Sequence, residues 1–210
     1  MSVLSEIAEL VQKGKAQEVS DLVLKALDEG IGAQQILDDG LLKGMGELGV
    51  RFKNNEVFVP EVLIAARALN KGTETLKEKL VDLEVKSVGR VVLATVAGDL
   101  HDIGKNLVKL MLEGSGFEVI DLGTDVSADK IVAAVNEYEP DVVALSALLT
   151  TTMASQADVI KALEAAGVRD KVKVIIGGAP ITEAFANEIG ADGYSEDASG
   201  AADVAKTLIG

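Results

Sequence analysis

His101 is the only histidine in the chain, and there are no cysteines. Imidazole or soft-metal chemistry therefore has a single candidate residue. It lies in Gly98-Asp99-Leu100-His101-Asp102-Ile103-Gly104, after the apolar run Val91–Val96 and before a helical pattern. A lone loop histidine is more often surface or structural than a ligand, but here Asp99 precedes it by two residues. A carboxylate on one ring nitrogen fixes the tautomer and makes the other a better metal donor. Two further short motifs are Ser146-Ala147-Leu148 and Gly177-Gly178. Ser146 is expected to extend the Asp99–His101 pair into a relay of three. The glycines have a bland reading, an eased turn, and a sharper one, close approach of a ligand to the backbone.

These motifs need a frame that brings them together. After residue 89, short β-rich runs alternate with helical segments. Strands are expected at Arg90–Val96, Phe117–Leu122, Asp141–Ser146, Val172–Ile176 and near Gly193-Tyr194. Helices are expected at Ile103–Glu113, Ala128–Glu137, Thr152–Ala166, Ile181–Glu188 and Ser199–Leu208. Such an alternation implies a parallel sheet covered on both faces. In the common 2-1-3-4-5 order all three motifs share the carboxyl edge, where α/β domains bind ligands.

The earlier part reads as helix throughout. Leu4, Ile7, Ala8 and Val11 recur at helical spacing before Gly14, and Val19, Leu22, Val23, Ala26 and Leu27 before Gly30. Ile36, Leu37, Leu41, Met45 and Leu48 form a third stripe. Pro60 opens a fourth helix carrying Val62, Leu63, Ala66 and Leu69. The expected organisation is a four-helix bundle over 1–84, a linker over 85–89, and an α/β domain with a flavodoxin-like five-stranded parallel sheet over 90–210.

Composition narrows the function. Of 210 residues, 48% are hydrophobic, which supports a packed core. A formal charge of −14 argues against a nucleic-acid or anionic-membrane surface as partner. The lack of cysteine excludes disulfides, iron–sulfur ligation and thiolate zinc. Neither a basic-then-apolar leader nor a membrane-length apolar run is visible, so the chain reads as cytoplasmic.

Asp-x-His-x-x-Gly, then Ser-x-Leu, then Gly-Gly resembles the signature of base-off, His-on cobalamin-binding domains; 41 residues separate Gly104 from Ser146, and 28 separate Leu148 from Gly177. The resemblance extends to the helical half. Gly44-Met45-Gly46-Glu47-Leu48-Gly49-Val50-Arg51-Phe52 and Val57-Phe58-Val59-Pro60-Glu61-Val62-Leu63-Ile64-Ala65-Ala66 look like the cap of methyl-carrying corrinoid proteins. These serve methylamine- and methanol-type methyltransferases and include the corresponding modules of methionine synthase. Val59 departs from the pattern, since related caps often carry Leu there.

The resemblance implies a cobalamin or related corrinoid whose cobalt His101 ligates from below, with Asp99 and Ser146 completing the relay. It places Asp102, Ile103, Gly104, Leu148, Thr150, Gly177, Gly178 and Tyr194 along the cofactor and its nucleotide tail. Phe52, Val59 and Val62 would cover its upper face. The residues weigh the other way at Thr150, Thr151 and Thr152, where helix capping is the plain reading. It also implies a carrier cycling between Co(I) and methyl-Co(III), in anaerobic one-carbon metabolism. Its partners would be a donor-specific methyltransferase, an acceptor methyltransferase and a reductive-activation protein, with a hinge near 84–89 to uncover the cobalt. The methyl donor is not legible.

Rival readings are a cobalamin subunit of an adenosylcobalamin mutase, a cobalamin-dependent sensor or regulator, and a response-regulator-like domain. The first lacks a helical methyl cap, the second needs a DNA-reading module, and the third needs an Asp where Ser146 stands.

Overall fold

The computed structural model describes residues 2–79 and 87–210. The chain divides into two compact units, Met1–Ser87 with Gly114–Gly116, and Val88–Glu113 with Phe117–Gly210. The expected domain boundary at 84 and the first linker residues, 85 and 86, lie outside the described residues.

The first unit is helical. It comprises α1 (Val3–Gln12), α2 (Ala16–Asp28), α3 (Ala33–Ile36), α4 (Lys43–Lys53) and α5 (Val59–Lys79). A π-helical turn at Leu37–Leu42 joins α3 to α4, so the third stripe runs through one continuous helix with a widened turn. Pro60 lies in the first turn of α5, where its missing N–H costs nothing. Glu61 accepts a hydrogen bond from the Phe58 N–H at 3.1 Å and closes that end. On α5 the buried side chains include Val62, Ala65, Ala66, Ala68, Leu69 and Leu76. Leu63, expected on this stripe, is instead half exposed. It lies one position, about 100° of helix, round from Val62.

The second unit is the parallel α/β domain. Its strands are β1 (Arg90–Thr95), β2 (Glu118–Asp121), β3 (Val142–Ser146), β4 (Lys173–Gly177) and β5 (Gly193–Ser195), in the order β2-β1-β3-β4-β5. The continuous apolar runs of β1 and β3 are buried, as strands covered on both faces require. The helices are α6 (Ile103–Glu113), α7 (Ala128–Tyr138), α8 (Met153–Ala165), α9 (Glu183–Ile189) and α10 (Ala198–Ile209). α6 packs against α10, and α7 against α8. Val92, Ala94, Val143, Leu145, Val174 and Ile176 form one core with Ile131, Val135, Val159 and Leu163 of α7 and α8. By alternation, Thr95, Ser146 and Gly177 look toward the opposite face.

Helix starts differ from expectation where a capping side chain decides them. Thr182 accepts from the Phe185 N–H, so α9 begins at Glu183 rather than Ile181. Asp197 accepts from the Gly200 N–H, so α10 begins at Ala198.

Candidate functional site

β1 ends at Thr95, the chain loops across the carboxyl edge, and α6 starts at Ile103. Asp99 in this loop is fully buried. Its Oδ1 accepts from the His101 N–H at 3.0 Å and lies 2.7 Å from His101 Nδ1. Its Oδ2 accepts from the Leu148 N–H at 2.7 Å and from the Thr152 hydroxyl at 2.8 Å. Burial is the largest single influence on this carboxyl and works to raise its pKa. The donors from Leu148, His101 and Thr152 together outweigh it and hold the group well below the usual carboxylate range. An ionised carboxylate only accepts hydrogen bonds, so His101 Nδ1 must carry the proton. Nε2 is left as the free donor atom on a half-exposed side chain. The Thr95 hydroxyl holds the His101 carbonyl at 2.9 Å, which fixes the backbone as well.

The expected relay through Ser146 is corrected. Asp99 is held by Thr152, and Ser146 is not among its partners. By alternation Ser146 looks to the face opposite the α7/α8 core, while Thr152 reaches Asp99 from the start of α8 and is itself buried. Ser146 instead pairs in register with Thr95 on one side and Gly177 on the other, and Gly177 pairs with Ser195. The result is a row, Thr95–Ser146–Gly177–Ser195, crossing the sheet at its carboxyl edge. Its gap at Gly177 is bounded by the Ser195 carbonyl, 3.1 Å from where a Cβ would stand. Tyr194, expected beside the nucleotide tail, packs with the α7/α8 core on the other face. Its neighbour Ser195 occupies the row.

Other expected residues divide by role. Leu100 and Ile103 are strongly exposed, and Leu148 and Leu149 partly so, so the two loops carry exposed apolar side chains. Leu148 also works through its main chain, by its bond to Asp99. Gly104, in the first turn of α6, has no atom within 4 Å of a built Cβ, so it opens a space. Gly178 does not: with φ +130°, a Cβ there would lie 1.8 Å from the Ala147 carbonyl oxygen, so the protein's own loops demand this glycine. Asp102 and Thr150 are exposed. In the helical unit Phe52 and Val59 are half-buried and Val62 fully so, while Phe58 and Val50 are open to solvent.

Two supports escaped sequence reasoning. Lys105, the third residue of α6, is buried with Nζ 2.7 Å from both Asp121 oxygens and 2.9 Å from Asn106 Oδ1. Burial works to raise the Asp121 pKa, but Lys105 and the Gly123 N–H bring it below its ordinary value. The pair fastens the first turn of α6 to the end of β2. Gln156 of α8 is fully buried and its Nε2 bridges the carbonyls of Leu145 and Gly177 at 3.1 and 3.2 Å. Its Oε1 is left unpartnered. No signal marks Lys105 and Asp121 in advance, since each reads as a solvated charge, and Gln156 is a polar residue in an ordinary amphipathic stripe.

Among the described residues no group of three or more His, Cys, Asp or Glu side chains could hold a metal. What the site offers is one oriented imidazole donor. That suits a metal whose other ligands arrive with a prosthetic macrocycle: Nε2 is free, apolar side chains are exposed on the same loops, and the space at Gly104 is open. A hydroxyl row lies behind. The fit is good on this structure's own geometry.

Residues 89–203 match the model of a B12 binding domain, and residues 3–77 match a second family model, also described as a B12 binding domain. The chain is 44% identical over 208 residues to dimethylamine corrinoid protein 1 of Methanosarcina acetivorans, with 99% of this chain and 97% of that one covered. It is 39% identical over 213 residues to a corrinoid protein of Desulfitobacterium hafniense, covering 100% of this chain and 99% of the other. Among solved structures, the methanol:cobalamin methyltransferase complex of Methanosarcina barkeri superposes with a TM-score of 0.89 at 32% identity, covering 99% of this chain and 79% of that one. A cobalamin-binding protein of Desulfitobacterium hafniense superposes at 0.81 and 35% identity, covering 99% and 98%.

Proposed function

The chain belongs to the B12-binding corrinoid proteins, and from that premise we propose that it is a methyl carrier serving two methyltransferases. When bound, the corrinoid supplies a cobalt that takes up a methyl group from one partner's substrate and yields it to the other's. The protein's own residues bind, orient and shield. His101 would offer Nε2 as a nitrogen ligand to the cobalt. Asp99 holds Nδ1–H, and Thr152 and the Leu148 N–H keep that carboxylate ionised and aimed. Leu100, Ile103, Leu148 and the open Gly104 would receive the corrinoid. Thr95, Ser146 and Ser195, with the gap at Gly177, would hold the nucleotide tail. Within the helical unit, Phe52, Val59 and Val62 would be the apolar residues that contribute to shielding the bound group.

The donor is a methylated amine or alcohol, chosen by the partner enzyme. Relatives are named for dimethylamine and trimethylamine, and the M. barkeri complex for methanol. A third partner, a reductive-activation protein, returns oxidised cofactor to service. The setting is the cytoplasm, and no described helix is long and apolar enough to cross a membrane.

The observation that carries this reading is His101, with Nδ1 tied to a buried carboxylate and Nε2 free. Because the chain has one histidine, labelling with ¹⁵N-histidine marks one ligand. Untagged protein loaded with cob(II)alamin should show axial nitrogen coupling in its EPR spectrum that changes with the label and disappears in His101→Ala. Coupling indifferent to both would remove His101 as the ligand.

A further inference from the structure

We propose that Asp125, an exposed residue in the loop between β2 and α7, is a positioning residue that sets the imidazole of His101. Its N–H donates to the Asp99 carbonyl at 2.9 Å. Its Oδ1 accepts from the Gly98 N–H at 2.7 Å. The segment Gly98–Asp99 is thus gripped at both ends by one residue, and the Asp99 carboxylate that orients His101 leaves from between the two grips.

The backbone reinforces this placement. Asp125 has φ 52° and Gly98 has φ 81°. Left-handed backbone is uncommon outside glycine, though Asp and Asn tolerate it better than other residues. Strain of this kind persists where the surroundings over-determine it, and it gathers at functional sites. Here the surroundings are β1 itself. The Thr95 N–H donates to the Gly123 carbonyl and the Val126 N–H to the Thr95 carbonyl, both at 3.0 Å. Val126 also bridges to Val96. Gly123 and Val126 thus anchor the loop to β1, and Asp125 is the residue between them that reaches across to the histidine arm. No burial explains an acid there, since its side chain is exposed.

In its cofactor arm this inference rests on the ligand reading of His101; in the free protein it does not. The test uses full-length untagged protein labelled with ¹⁵N-histidine. In the cofactor-free protein, wild type should show ring nitrogen shifts of a single tautomer protonated on Nδ1. Asp125→Asn keeps a side-chain oxygen acceptor and tolerates the backbone, so it should match wild type. Asp125→Gly relieves the strain but lacks the acceptor, and it folds easily at this φ. It should show mixed tautomers and bind cob(II)alamin about 10-fold more weakly, at the low end of losses from a ligand's supporting groups. Wild-type ring shifts and affinity in Asp125→Gly overturn the proposal, because the acceptor would then position nothing. If instead the ring shifts change as expected, but wild-type EPR coupling is blind to the label, Asp125 keeps its role and the cobalt-ligand reading alone fails.

Discussion

The carboxyl edge of the sheet and the start of α5 both carry motif residues, but the two regions use them differently. At the sheet edge a polar side chain has one geometric job, and its partners reveal it: Asp99 makes four hydrogen bonds and points one imidazole outward. At the start of α5 the expected covering residues, Val59 and Val62, are apolar. Val62 is buried, Val59 half-buried and Phe58 exposed within five residues of chain. Apolar side chains can pack or shield, and spacing alone does not separate the two. Polar chemistry in a buried loop is specified by single residues, whereas apolar covering is specified by a surface.

The sharpest break of this comparison is at Gly178. Gly178→Ala forces a Cβ to 1.8 Å from the Ala147 carbonyl oxygen on a backbone with φ +130°. Strain and overlap together should cost about 3 kcal/mol or more in the cofactor-free protein. Urea denaturation measures it; a near-neutral result would return Gly178 to a purely ligand-facing role. A smaller effect separates the two kinds of apolar residue on α5. Val62→Ala should cost about 2 kcal/mol, for two buried carbons and the space they leave. Phe58→Ala, at an exposed position, should stay within about 0.5 kcal/mol. Equal losses would erase the distinction between packing and surface residues in this turn.

The relay gives the next test. Thr152→Val keeps the shape but removes a hydrogen bond to an ionised carboxylate, for about 1.5 kcal/mol of stability. Ser146→Ala should leave the cofactor-free protein within about 0.5 kcal/mol of wild type. It should instead weaken corrinoid binding about 10-fold, the equivalent of roughly 1.4 kcal/mol for one contact to the tail. If the two variants exchange these phenotypes, Ser146 is the relay member after all.

Much of this was legible beforehand, for physical reasons. The alternation of β-rich runs with helical stripes fixes a parallel sheet, and its 2-1-3-4-5 order puts the three motifs on one edge. His101 and Asp99 stood out because one histidine leaves no competitor. Thr152 was hidden among three threonines that all read as caps, since only the path of the turn after β3 brings the last of them to Asp99. Tyr194 packs toward the α7/α8 core and Ser195 takes the row, because one residue along a strand is a change of face. Lys105 and Asp121 lie on different elements and meet only when α6 docks on the sheet. Leu63 fell to the width of a helical stripe, which spacing draws more broadly than the structure buries.

The smallest effect asks the most pointed question, at Gly104. It occupies the first turn of α6, and a Cβ there meets nothing within 4 Å. Alanine is the better helix former by up to about 1 kcal/mol. Gly104→Ala should therefore leave the cofactor-free protein as stable as wild type or slightly more so. The Asp99–His101 geometry should be untouched, because neither residue's bonds involve Gly104. A glycine that lowers local stability without answering to any protein neighbour is explained if a ligand needs the space. Corrinoid affinity should then fall by about 10-fold or more while stability holds, as a methyl group meets the macrocycle that Nε2 brings down on the loop. Affinity and stability moving together, in either direction, would mean that the loop tolerates a side chain. The open space at Gly104 would then be a property of the helix start alone, and close approach of a ligand would have to be sought at Gly177 instead.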